Sequence, residues 1–173
     1  MATQKEAANW LNDIVDEYFK EQKKPFTKRV NPSVGSMYLY LYDPKYKATL
    51  PHWDMFPLVF PLDIYAGGFL GINIHYLPPA GRAALIKNLK NLMLSDDKYN
   101  SKTRLEGLSY MVLKEYATYF SGYKNCVKRY LNGHVVNGSL YLVHPSQWEY
   151  TISLPLQQWV VNPNAKYGMP PPY

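Results

Sequence analysis

Between residues 4 and 22 apolar side chains return at helical spacing. Ala7, Leu11, Ile14, Val15, Tyr18 and Phe19 fall on one face. Asp13, Asp16, Glu17 and Glu21 fall elsewhere, so the pattern predicts an amphipathic, locally acidic helix. Pro25 ends it, because proline lacks the N–H that a helix interior needs. From residue 37 the chain reads as strands: MYLYLY over 37–42, stopped by Asp43-Pro44; PLVFPLDIY over 57–65; and FLGINIHYL over 69–77, stopped by Pro78-Pro79. Tyr and Phe suit a half-buried pleated face. Gly67-Gly68 between the last two runs predicts a hairpin, since glycine supplies the positive φ of tight turns. Pro57 and Pro61 cannot donate to a ladder, so the second run is expected to be an edge strand or bulged.

Helical spacing returns after Pro79. A helix is expected over 80–94, with Leu85, Leu89, Leu92 and Met93 buried and Arg82, Lys87 and Lys90 wet. A second begins near Thr103 and buries Leu105, Leu108, Val112, Leu113 and Tyr116; a third, short one is expected over 124–131, carrying Cys126, Val127 and Leu131. Residues 140–143 read as one more strand, and Ser146-x-x-Glu149 has the form of a capping box opening a short helix to Ser153. From Leu154 the chain is proline-rich and nearly uncharged, with Trp159, Tyr167 and Tyr173 as its anchors. Its end, Pro170-Pro171-Pro172-Tyr173, matches the P-P-x-Y pattern of WW-domain ligands, but an arm laid along a neighbouring subunit is the favoured reading. The expected fold is α+β: a small SH3-like antiparallel β-barrel with an N-terminal helix and a helical insertion before the last strand. It is read as one domain over 1–173: helix and basic linker to 35, β core over 36–79, helical segment over 80–135, last strand and short helix over 136–161, then the arm over 162–173.

Charge alters this picture in one place. The net +6 divides into +1 over 1–35, −1 over 36–79, +6 over 80–131 and zero over 132–173, so the excess lies in the segment read as helical. Lys87, Lys90, Arg104, Lys124, Lys128 and Arg129 are its candidate phosphate contacts, though a basic face also meets an acidic protein or simply water. A second basic run, with Lys23, Lys24, Lys28 and Arg29, reads as an exposed linker before it reads as a phosphate clamp. Cys126 is alone and cannot form an internal disulfide or a zinc cage, which fits a reducing cytosol. No run approaches the length of a membrane span, and the N-terminus has no secretory signal, so no membrane partner is expected. Tyr, at 17 residues, is abundant enough to raise the weight of a protein interface, with Trp53, Tyr167 and Tyr173 as candidates.

Catalytic signals are sparse. The phosphate-binding G-x-x-x-x-G-K-[ST], the dinucleotide G-x-G-x-x-G, the zinc H-E-x-x-H and the nucleophile elbow G-x-S-x-G do not occur. His52, Trp53 and Asp54 stand together in a loop, where turn chemistry is favoured over catalysis. His75 and Asn73 share a strand face, able to build a site or to satisfy one another. No catalytic residue, metal ligand or cofactor is expected, and the chain does not read as an enzyme.

One set of motifs goes further. Tyr42-Asp-Pro-Lys45, Thr49-Leu-Pro51, Asp54-x-Phe56-Pro-Leu58, Gly68-Phe-Leu-Gly-Ile-Asn73, His75-Tyr-Leu-Pro-Pro79 and Arg82 together resemble a family of small virion proteins of contractile-tailed, T-even-like bacteriophages, often labelled DNA end protectors. The match is strongest over about 40 residues and looser through Val143-His-Pro-Ser-x-Trp148. The resemblance implies a non-enzymatic structural or assembly protein of the virion, assembled in the host cytoplasm within a multi-subunit particle. It would dock on other phage proteins at the head–tail neck, tail or baseplate, with the end of packaged double-stranded DNA as a further contact. The alternative is a free basic nucleic-acid-binding protein that protects DNA ends. No catalytic residues carry over, and the motif itself reads as turn and barrel chemistry.

Overall fold

A computed structural model describes residues 1–23, 31–50, 52–95, 102–119, 126–154 and 160–161. The first helix, α1 (Gln4–Gln22), opens on a capping box: the Glu6 N–H donates to Thr3 Oγ1 and the Thr3 N–H donates to Glu6 Oε2. It buries Ala7, Trp10, Ile14 and Tyr18, while Phe19, expected on that face, is exposed. Strands β1 (Met37–Leu39), β2 (His52–Trp53), β3 (Leu58–Tyr65) and β4 (Gly68–Asn73) follow, and then helices α2 (Pro79–Ser95) and α3 (Lys102–Tyr119). Among the described residues, strands β5 (Val127–Leu131), β6 (Tyr141–Val143) and β7 (Val160–Val161) follow.

Five strands form an antiparallel sheet in the order β5-β4-β3-β1-β6, and β2 pairs with β7 beside it. The architecture is α+β, but the sheet is open rather than a closed SH3-like barrel: β5 and β6 are its edges. Past Leu39 the chain leaves the ladder, and Tyr42 makes a single antiparallel bridge to Val135.

The segment 124–131 corrects the helical expectation. Its residues 127–131 are strand β5, paired with β4 from Gly68↔Leu131 to Ile72↔Val127. An eight-residue helix is marginal on its own, whereas pairing satisfies the open edge of β4 in full. Strand β3 is interior rather than an edge, and Pro61 is tolerated because the register shifts between Pro61 and Asp63. The β3–β4 hairpin turns on Ala66-Gly67, with Gly67 at φ +87° and Gly68 already paired to Tyr65. Gly68 is constrained differently: a Cβ there would lie 2.1 Å from the Tyr130 carbonyl oxygen.

Arg82, expected in water, is fully buried. Its Nε donates to the Ile74 carbonyl, Nη1 to those of Thr151 and Leu154, and Nη2 to that of His75, at 3.0–3.3 Å. Four carbonyl oxygens replace the water that the charge gives up. His75 belongs to a 3₁₀ turn, Ile74–Tyr76, not to a strand, with Asn73 as the capping side chain. The helix expected near residue 146 is a 3₁₀ helix, Pro145–Ser153. His144 caps it rather than Ser146, and Glu149 reaches instead to Lys90. Its Trp148 fills the core edge-on to Phe60, 4.9 Å between ring centres, and Tyr150 stacks on Trp10 of α1 at 5.6 Å. Just ahead of the arm expected over 162–173, β7 pairs with β2 of its own chain, His52↔Val161 and Trp53↔Val160. Residues 162–173, including Tyr167 and Tyr173, lie outside the described residues, as does Trp159.

Candidate nucleic-acid interface

Aromatic residues of β1's continuation, β4 and β5 make a cluster. Tyr40, Tyr42, Phe69 and Tyr130 touch one another with ring centres 5.2–6.1 Å apart. Many tyrosines are therefore spent on packing rather than on an interface. Tyr130 and Tyr42 also form one wall of a cleft of about 660 Å³, lined further by Pro44, Lys45, Tyr46, Leu50, Trp53, Asp54, Lys128, Arg129 and Leu131. The 42–50 loop, β2 and β5 enclose it. Of its aromatic rings, Tyr46 is the open one, at 62% exposure, and Trp53 is half-buried.

Three basic residues line this cleft, and each holds its charged end against a tyrosine; Tyr65 and Tyr76, which receive Arg129 and Lys128, are not among the lining residues. Lys45 Nζ lies 5.3 Å from the Tyr46 ring centre. The Arg129 guanidinium lies 4.5 Å from that of Tyr65, and its Nε donates to the Tyr65 hydroxyl at 2.8 Å. Lys128 Nζ donates to the Tyr76 hydroxyl at 2.7 Å. Burial lowers the Lys128 pKa to about 8, against the opposing pull of the Asp54 charge. A cation held over a ring gains electrostatic support from it while its side chain loses freedom.

Beneath the cations, Asp54 is buried and tied down. Oδ1 accepts the Phe56 N–H at 3.1 Å; Oδ2 accepts from Asn73 Nδ2 at 3.0 Å and from His75 Nδ1 at 2.7 Å. A carboxylate only accepts, so the His75 proton on this side sits on Nδ1. Asn73 also donates to the Tyr130 hydroxyl at 3.1 Å and accepts the His75 N–H at 2.9 Å. The network joins β4, its following turn and the loop before β3, and holds the floor of the cleft rigid.

The residues expected from sequence divide sharply. Trp53, Lys128 and Arg129 come together in the cleft. Lys87 and Lys90 lie on α2; Lys87 is exposed, and Lys90 pairs with Glu149 at 2.7 Å, which lowers the Glu149 pKa. Arg104 is on α3 with its side chain outside the described ones, and Lys124 lies outside the described residues altogether. Sequence reasoning misses Lys45, Tyr46 and the Asp54–His75 pair, since it sets Asp54 beside His52 and His75 beside Asn73. The signal was present in the Tyr42-Asp-Pro-Lys45 motif, whose Tyr42, Pro44 and Lys45 line the cleft. Cys126 is buried, which pushes its thiol pKa up and leaves it a packing residue.

A second depression of about 600 Å³, between α1 and the 145–153 helix, carries Glu6, Asp13 and Glu149, a lining that repels phosphate. Among the described residues no group of His, Cys, Asp and Glu could hold a metal ion, and no helix is long and apolar enough to cross a membrane. A family model described as phage T4 terminal DNA protecting protein matches residues 1–169. No curated protein and no solved structure matches the chain.

Proposed function

Because the chain belongs to the phage T4 terminal DNA protecting protein family, we propose that it occupies the ends of double-stranded DNA through the cleft between the 42–50 loop, β2 and β5. Protection is then steric: a terminus held by Lys45, Lys128 and Arg129 is closed to other proteins, and no bond is made or broken. The observation that carries this reading is a cleft whose lining combines three basic residues, Lys45, Lys128 and Arg129, with four aromatic ones. Phosphate attraction supplies affinity, and π-faces supply a sequence-tolerant hold on bases. In the particle the same protein docks on other phage proteins at the neck, tail or baseplate, with the arm over 162–173 as the docking segment.

Competition between duplexes that differ only at their ends tests the reading. Linear duplex should bind, while the same sequence closed by hairpins at both ends should compete poorly. Affinity should fall with salt by about 0.9 power per phosphate contact. Neutralising Lys45, Lys128 and Arg129 to glutamine should flatten that slope by roughly three contacts. Equal binding of open and hairpin-closed DNA, or an unchanged slope in the triple variant, refutes end recognition by this cleft.

A further inference from the structure

We propose that the cleft holds a single unpaired nucleotide from the DNA terminus, its base against Trp53 and Tyr46 and its phosphate against Lys45, Lys128 and Arg129. The inference rests on the end-binding reading and specifies what part of the end is gripped. Size is the first argument. A volume of about 660 Å³ is that of a small-molecule site, whereas a duplex whose major groove alone is ~12 Å wide stays outside it. Only a strand end released from pairing fits.

Chemistry is the second argument. Phosphate contacts along a duplex need cations spread over a convex or grooved surface; here they rim a concave site whose walls are aromatic and aliphatic. Tyr42, Tyr130, Leu50 and Leu131 supply an apolar wall, and Tyr46 and Trp53 add two more aromatic rings to the lining, Tyr46 being largely exposed. That combination of stacking ring and adjacent cation is how unpaired nucleotides are held without regard to sequence. The floor is rigid, because the hydrogen bonds of Asp54 to Phe56, Asn73 and His75 fix it before anything binds. A preformed slot of this kind loses little freedom on binding.

The test uses the full chain and a duplex closed by a hairpin at one end, the other end being blunt, extended by one nucleotide, or extended by one abasic nucleotide. The base-bearing extension should bind about tenfold tighter than the abasic one, with blunt ends between them because a terminal pair must first open. Base-dependent quenching of tryptophan fluorescence should accompany binding and vanish in Trp53→Leu. Tyr46→Ala, at an exposed position where the fold is indifferent, should remove most of the tenfold gain while leaving thermal unfolding unchanged. Equal affinity for base-bearing and abasic extensions, with steep salt dependence intact, overturns the nucleotide slot but leaves end binding standing. Failure of every open end to bind above the hairpin-closed control overturns both.

Discussion

Lys128 Nζ sits 2.7 Å from the Tyr76 hydroxyl and 4.0 Å from the centre of the same ring, so one tyrosine both hydrogen-bonds the ammonium and covers it. Burial outweighs that support and lowers the Lys128 pKa to about 8. The folded pKa lies below the ordinary lysine value of 10.5, so between about 8 and 10.5 the unfolded chain binds a proton that the folded chain does not. Across that window this group's contribution to stability rises with pH, while its attraction for phosphate fades.

Affinity for DNA ends should therefore decline from pH 7 to pH 9 at constant ionic strength. Lys128→Arg should flatten the decline, because guanidinium stays charged throughout. A wild-type profile flat over this range would count against Lys128 as a phosphate contact.

Asp54→Ala should destabilise the fold by about 3 kcal/mol in urea unfolding, since it strands the Phe56 N–H, Asn73 Nδ2 and His75 Nδ1 without their acceptor. A loss below about 1 kcal/mol would mean that water replaces the carboxylate, and that the floor of the cleft is softer than its geometry implies.

The two glycines of the β3–β4 hairpin should respond unequally. Gly67→Ala meets no neighbour and should cost about 1 kcal/mol for its positive φ alone. Gly68→Ala drives a Cβ into the Tyr130 carbonyl and should cost about 2 kcal/mol or more, by displacing β5 from β4. Because β5 carries Lys128 and Arg129, the second variant should also weaken DNA binding. The reverse order in thermal melts would remove the close β4–β5 approach as the reason for glycine at 68.

Deleting residues 162–173 should leave monomer stability within about 0.5 kcal/mol and impair incorporation into particles. The cut falls just beyond β7, whose pairing with β2 it preserves. Large loss of monomer stability with normal incorporation would assign the arm to its own chain.

Periodicity makes α1 and α2 legible, because each buries a stripe set by its own residues, and the Gly67-Gly68 signal does the same for the β3–β4 hairpin. Strand β5 is not legible that way. Its VKRYL is short, its charges blur any period, and its conformation is decided by the unpaired edge of β4. Arg82 misleads for a related reason: an arginine at a helical position reads as wet unless the carbonyls that receive it, from segments 74–75 and 151–154, are known. The cleft is half legible. Trp53, Lys128 and Arg129 stand out as residue types, but only the fold brings β5 against the loop that carries Lys45 and Tyr46. Asp54 and His75 are separated by two strands' worth of turn and ladder, and no local pattern pairs them.

Arg82 has one more consequence, for the order in which the molecule comes apart. Its guanidinium is shared between the Ile74–Tyr76 turn and the end of the Pro145–Ser153 helix, so neither can open without stripping a buried cation of half its acceptors. The two segments should behave as one cooperative unit in native-state hydrogen exchange. The Leu77 amide, bonded to Ile74, and the Leu154 amide, bonded to Thr151, should report the same opening free energy although they are far apart in sequence. In Arg82→Met the two should uncouple, the C-terminal segment exchanging first, and the chain should acquire a partly open form in which the β core persists.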